Sequence, residues 1–330
     1  MKKNRKNEEF MAGIMWDEAS KKSNGGTELL GRELERRLPF NLLNHFQIFL
    51  SRVNAPLAEN KIRILWAHNL ANDIQNVHLL KDGWSRFHKI VFVSDHQMQE
   101  YIHRYNIPWS KCVVLQNAII PIPVHKKTSS TIRFIYTPTP NRGLSILYPV
   151  FDLLSKEYDN IELSVFSSFN LYGWNNDALY EELFKALQKH PKITYHGTAD
   201  NAVIREHLEK SHIFAHPSIW RETSCLCLIE AMSAGLICVH PRYGALTETA
   251  ANWNMLYQWH EDPEQHAHLL YNHLRSAILL IKENQPFLQK KLQEQIAYMD
   301  NFYNWTSRAI EWEHFLLTLL KQERCALPDK

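Results

Sequence analysis

Short apolar runs alternate with helical patterns along the 330-residue chain, and this alternation limits the fold more than any other feature. Runs rich in Ile, Val and Phe lie at Phe46–Leu50, Ile62–Trp66, Lys89–Val93, Cys112–Leu115, Ile132–Tyr136, Ile161–Phe166, Lys192–Tyr195, His212–Ala215 and Leu236–Val239. Brief apolar runs without polar alternation read as strands buried on both faces, the habit of parallel sheets. Between them the period is helical: Leu147, Val150, Phe151 and Leu154 share one face over 144–158. The pattern predicts an α/β chain with parallel sheets.

The length admits two domains with sizeable cores. Two prolines, two lysines and a Ser/Thr cluster over 121–130 mark a boundary. The predicted division is an N-terminal domain over 1–122, a linker over 123–130, a second domain over 131–302 and a final helix over 303–330. That helix carries one apolar stripe: Trp305, Ala309, Trp312, Leu316 and Leu319.

A net charge of +2 argues against a nucleic-acid surface. No apolar run reaches bilayer-spanning length, and the charged opening, MKKNRKNEEF, leads into no signal-peptide core. The expected location is the cytoplasm. Lys2, Lys3, Arg5 and Lys6 offer cations for peripheral membrane contact, against the plainer expectation of a solvated start. The five cysteines form no framework, and Cys225-Leu226-Cys227 lacks the C-x-x-C spacing of a zinc or redox site. Buried reduced thiols are expected.

The most informative segment runs from His216 to Gly235. Thr223 or Ser224 is a predicted N-cap, with the helix reaching Ala234 and Gly235 closing it. Glu222 precedes the helix and Glu230 lies inside it. Eight residues of helix rise about 12 Å, a span suited to a ligand with polar ends and an anion between them. The free amides of Ser224, Cys225 and Leu226 would face that anion. The plainer reading gives Glu222 to the helix dipole and Glu230 to a solvated face. Elsewhere, Arg142-Gly143 opens a helix after a strand, where charge and amides together suit a phosphate. His68 ends a strand, a position suited to polar contact or proton handling.

The segment from Glu222 to Gly235 resembles the E-x7-E motif of retaining glycosyltransferases of family 4, which have the GT-B fold: two Rossmann-like parallel-sheet domains facing across a cleft. The likeness extends to Tyr243-Gly-Ala-Leu-Thr-Glu248, to the early G-G-x-E loop at Asn24-Gly25-Gly26-Thr27-Glu28, to Gln116-Asn-Ala118-Ile119, to Arg142-Gly143-Leu144 and to Tyr195-His-Gly197-Thr198. Ala118 stands where the family usually has glycine, and Pro138 lies where many members carry a second basic residue.

The resemblance implies a metal-independent hexosyltransferase of carbohydrate biosynthesis that needs no cofactor. Its partners would be a nucleotide-sugar donor and a carbohydrate or lipid-linked acceptor. Glu222 would take the donor's sugar hydroxyls and Glu230 its ribose. Arg142, Gly143 and the amides around Thr223, Ser224, Cys225 and Leu226 would hold the diphosphate, and Gly197 would approach the base. Gly25 and Gly26 would lie near phosphates and acceptor, and His68 near the reacting sugar. The N-terminal domain is shorter than usual for the family. A sugar-nucleotide epimerase or phosphorylase of the same fold, or a degenerate nucleotide- or glycan-binding protein, are the rivals.

Overall fold

A computed structural model describes residues 12–17, 23–125, 127, 130–173, 176–283 and 286–325. Lys2, Lys3, Arg5 and Lys6 lie outside the described residues. The chain divides into two compact units, Met1–Ala118 with Trp305–Lys330, and Ile119–Asn304. Ile119 and Ile122 are already buried in the second unit's core. The Ile122 amide donates to Ser233 Oγ, and Lys127 Nζ to the Ala234 carbonyl. These bonds put the break four residues ahead of the position expected from the prolines.

The first unit holds a parallel sheet in the order β1-β2-β3-β4-β5. Its strands are β1 (Gly13–Met15), β2 (Phe46–Leu50), β3 (Ile62–Trp66), β4 (Lys89–Phe92) and β5 (Cys112–Val114). Helix α1 (Gly26–Arg37) follows β1, the single turn α2 (Phe40–Leu43) precedes β2, and α3 (Asp95–Tyr105) joins β4 to β5. Ser94 caps α3 by accepting from the Gln97 amide. Phe49, Leu65, Phe87, Phe92 and Tyr101 fill the core on one face.

The second unit alternates strand and helix: β6 (Ile132–Tyr136), α4 (Leu144–Glu157), β7 (Ile161–Val165), α5 (Glu181–Lys189), β8 (Ile193–Tyr195), α6 (Asn201–Lys210), β9 (Ile213–Ala215), α7 (Leu226–Ser233), β10 (Ile237–Arg242), α8 (Leu246–Ala250), β11 (Met255–Gln258), α9 (Pro263–Lys282) and α10 (Pro286–Phe302). All its strand pairs are parallel, in the order β11-β10-β9-β6-β7-β8. The order reverses between β6 and β9, which are hydrogen-bonded neighbours although 79 residues separate Phe134 from its partner Ile213. Open α/β sheets bind ligands outside the carboxyl ends of the strands at such a reversal. Apolar side chains cover both faces, one cluster around Phe134 and Phe151, the other around Phe214 and Ile229.

The last helix, α11 (Trp305–Cys325), belongs again to the first unit. Trp312 packs its ring 4.7 Å from that of Trp66, and Arg37 lies over the Trp305 ring. Trp305, Trp312, Leu316 and Leu319 of the expected stripe are buried. The cysteines are reduced as expected, but only Cys225 and Cys238 are buried; Cys112 and Cys227 are partly exposed and Cys325 is exposed.

Candidate functional site

Three loops of the second unit meet where its strand order reverses. After β6 the chain makes a single 3₁₀ turn, Pro140–Arg142, and enters α4 through Gly143. Gly143 has φ +106, and a Cβ there would lie 1.9 Å from the Pro217 carbonyl oxygen. Only glycine allows this backbone to press so closely on the loop that follows β9. Gly244, after β10, does the same from the other side, at φ +57. A Cβ there would lie 2.7 Å from the amide nitrogen and carbonyl oxygen of Glu222. The Ala245 amide donates to that carbonyl. Glu222 is thus fixed by its backbone before its side chain is considered.

The side chain then meets Arg142. Arg142 Nη1 donates to Glu222 Oε1 at 2.7 Å, and the two side chains are only 20% and 11% exposed. The guanidinium also lies 4.8 Å from the Trp220 ring centroid, a favourable cation–π geometry. Burial pushes the Glu222 carboxyl up, while Arg142 pulls it back. Burial pulls Arg142 down, but the charge of Glu222, with smaller contributions from Tyr172 and Cys225, carries it above its ordinary value. The guanidinium therefore stays charged in a pocket of low polarity, where an anion would feel it strongly.

Helix α7 starts beside this pair. Its N-cap is Cys225, not Thr223 or Ser224, and no side-chain hydrogen bond caps it. Thr223 and Ser224 stay in the loop, with a bend at Thr223 and extended backbone at Cys225 before the helix begins. The helix ends at Ser233 with Ala234 as C-cap, and Gly235 takes the left-handed conformation beyond it. An uncapped helix start of this kind favours an anion.

Glu230, on α7, faces α6. The Asn201 side chain donates to it and Arg205 lies near, yet burial dominates and pushes the carboxyl up to about 7. Asn201 directly follows the turn containing Gly197. Gly197 (φ +65) lines a small hollow with Thr137, Phe166, Thr198 and Ile204, under the carboxyl ends of β6, β7 and β8. Ser167 Oγ donates to the Pro138 carbonyl and Tyr195 Oη to the Ser167 carbonyl, tying those three strand ends together. A Cβ at Gly197 would have only Tyr195 Oη within 4 Å, so its glycine serves the backbone conformation and not a tight contact.

His68, Gly25 and Gly26 lie in the other unit. His68 follows β3, its amide donates to Ser51 Oγ, and its ring packs on Trp66 at 4.7 Å. Burial holds its imidazole down at about 3, so it is neutral at physiological pH. It can offer a hydrogen bond but not carry a proton as a cation. Gly25 is the N-cap of α1 with an ordinary φ of −65, and its amide donates to Ser23 Oγ. Neither Gly25 nor Gly26 has a positive φ. On the loop after His68, Asp73 caps the 3₁₀ segment Ile74–Leu79. The Asn69 carbonyl accepts from Gln97 and Tyr101.

Two residues of the site were not singled out in the sequence. Trp220 braces Arg142, and His216, fully buried, points its Nε2 to within 3.9 Å of Glu222 Oε1. The one available signal was the position of His216, directly after the strand at which the sheet order reverses.

Residues 116–295, more than half of the chain, match the family described as Glycosyl transferases group 1. The chain belongs to that family. Among curated proteins it is similar to a subunit of human phosphatidylinositol N-acetylglucosaminyltransferase, 26% identical over 141 residues, covering 41% of this chain. The chain spans just over a quarter of that relative's length, 28%. Among solved structures, the glycosyltransferase from Rickettsia africae ESF-5 superposes with a TM-score of 0.66 at 16% identity, covering 91% of this chain and 83% of its own. The pneumococcal O-GlcNAc transferase GtfA, in complex with UDP and GlcNAc, gives 0.64 at 15%, covering 83% and 56%. Anabaena Alr3699/HepE, in complex with UDP-glucose, gives 0.61 at 12%, covering 78% and 72%. These likenesses identify the fold of this group 1 family member as GT-B.

Proposed function

We propose that the chain is a retaining glycosyltransferase that moves a sugar from a nucleotide-sugar donor to a carbohydrate or lipid-linked acceptor. The observation that carries this reading is the buried Arg142–Glu222 pair beside the uncapped start of α7. It sets a fixed cation and free amides where a diphosphate would sit, and a carboxylate where sugar hydroxyls would follow. Glu230 takes the ribose hydroxyls, and the hollow at Gly197 takes the base. The UDP and UDP-glucose found with two of the similar structures make uridine diphosphate sugars the first donors to try.

In the reaction the bond between the sugar's anomeric carbon and the diphosphate oxygen breaks. The acceptor oxygen bonds to that carbon from the same face, and its proton passes to the departing diphosphate. Arg142 and the α7 amides stabilise the charge that grows on the leaving group, so the step needs no metal. The test is donor turnover by Glu222→Ala and Arg142→Ala, after a thermal-shift panel of nucleoside diphosphates and their sugars. A ligand at a hundred times its Kd stabilises by about 2.7 kcal/mol. Near-normal turnover in both variants would remove this assignment.

A further inference from the structure

The loop that carries Glu222 also gathers an imidazole and two thiols that the transfer step leaves unused. His216 is fully buried, and its Nδ1 has no hydrogen-bond partner among the described residues. Its Nε2 lies 3.9 Å from Cys225 Sγ and 3.9 Å from Glu222 Oε1, both longer than an ordinary N–H···O bond. The donor atoms of His216, Glu222 and Cys225 all lie within 4.8 Å of one another, and all three residues are buried. Around tetrahedral zinc, with bonds of about 2.0–2.3 Å, such atoms stand about 3.3–3.6 Å apart. Closing the set takes a few tenths of an ångström for the two pairs at 3.9 Å and a side-chain rotation that draws in the wider Glu222–Cys225 pair. The Cys227 thiol is hydrogen-bonded to that of Cys225, and both cysteines are free.

We propose that His216, Glu222 and Cys225, with Cys227 as fourth ligand, form a binding site for one thiophilic divalent cation of the zinc class. The ligand types are those zinc prefers, and none is supplied by a mobile surface chain. Binding releases the thiol protons. Two thiolates and a carboxylate around a dication leave one negative charge, and Arg142, at 2.7 Å from Glu222, is placed to offset it. The C-x-C spacing conceals the site because three of its four ligands come from the stretch between β9 and α7. If the donor reading is right, the cation and the sugar compete for Glu222, so zinc inhibits transfer reversibly.

The test is titration of the full chain with Co2+ under reducing conditions, read by absorbance, followed by displacement with Zn2+. We expect a thiolate-to-cobalt band and tetrahedral d–d bands that saturate at one equivalent, and Zn2+ should abolish both. Cys225→Ser should weaken the thiolate band and Cys225→Ser with Cys227→Ser should lose it, while Cys112→Ser keeps it in full, all checked for native circular dichroism. Should Cys225→Ser fail that check, Glu222→Gln serves instead, and its cobalt affinity should fall about ten-fold or more. Absence of the band in the native chain, its undiminished survival in Cys225→Ser, or unchanged affinity in Glu222→Gln overturns the site. Repeating the titration with a UDP-sugar separates the two readings. Metal binding that the sugar nucleotide does not weaken supports the metal site and counts against Glu222 as the sugar ligand.

Discussion

Replacing Glu222 by glutamine should move two affinities in opposite directions. In the unliganded protein Glu222 is the counter-ion of Arg142, 2.7 Å away, and both side chains are largely shielded from water. A hydrogen bond to a charged group contributes about 1.5–3 kcal/mol. The Trp220 face, at 4.8 Å, retains about 0.5–2 kcal/mol of attraction on Arg142 when the carboxylate is gone. Glutamine keeps the shape and still presents an oxygen to Nη1, but it removes the negative charge. The unliganded variant should therefore lose about 1–3 kcal/mol of stability, because a buried cation is left without its anion. A nucleoside diphosphate supplies that anion. Its affinity should rise about ten-fold, equivalent to about 1.4 kcal/mol. Sugar transfer should fall about a hundred-fold or more, since the hydrogen bonds to the sugar are lost in the transition state. Calorimetric titration with UDP and turnover of a UDP-sugar read the two effects separately. If UDP binds no more tightly to a folded Glu222→Gln protein, Glu222 does not compete with the diphosphate for Arg142, and the reasoning fails.

Glu230, pushed up to about 7 by burial, keeps its proton when folded at pH values where an unfolded glutamate, at its ordinary 4.5, has lost it. Folded stability should therefore fall as pH rises from 4.5 to 7, while nucleotide affinity rises through 7 as the carboxylate forms. Both trends should flatten in Glu230→Gln, as urea titrations and nucleotide binding across pH would show. Gly143→Ala puts a methyl 1.9 Å from the Pro217 carbonyl at φ +106. It should lower stability by at least about 2 kcal/mol, seen as a lower urea midpoint at unchanged slope, with loss of nucleotide binding. Trp312→Ala empties the space against Trp66 and should destabilise the first unit by about 3–5 kcal/mol. A thermal scan should show this as a transition that leaves nucleotide affinity in place.

The strands that recur in the structure are those whose runs were mostly apolar, such as Phe46–Leu50, buried at every position including Gln47. β1 and β11 escaped because neither has that run: β1 is three residues long, and β11 is an edge strand buried fully only at Tyr257. Arg142, Glu222 and Glu230 were legible from local motifs. Their pairing was not, because 80 residues lie between Arg142 and Glu222 and only the sheet reversal brings them together. Gly143 was legible as a helix-start amide, while its need to clear Pro217 depends on a loop more than seventy residues away. The helix start itself was misplaced by one or two residues, because hydroxyl side chains at Thr223 and Ser224 outrank cysteine as caps in isolation. Trp220 gave no sign, since one aromatic in a loop carries no period.

The chain leaves its first unit after Ala118 and re-enters it at Trp305. On a ribosome the Arg142–Glu222 unit is therefore fully synthesised before the first unit has received Trp312 to lay against Trp66. The half that begins earlier is the half that finishes later. A fragment ending at Ala118 would expose an indole the intact molecule never shows to water, whereas Ile119–Asn304 is one uninterrupted stretch suited to separate expression.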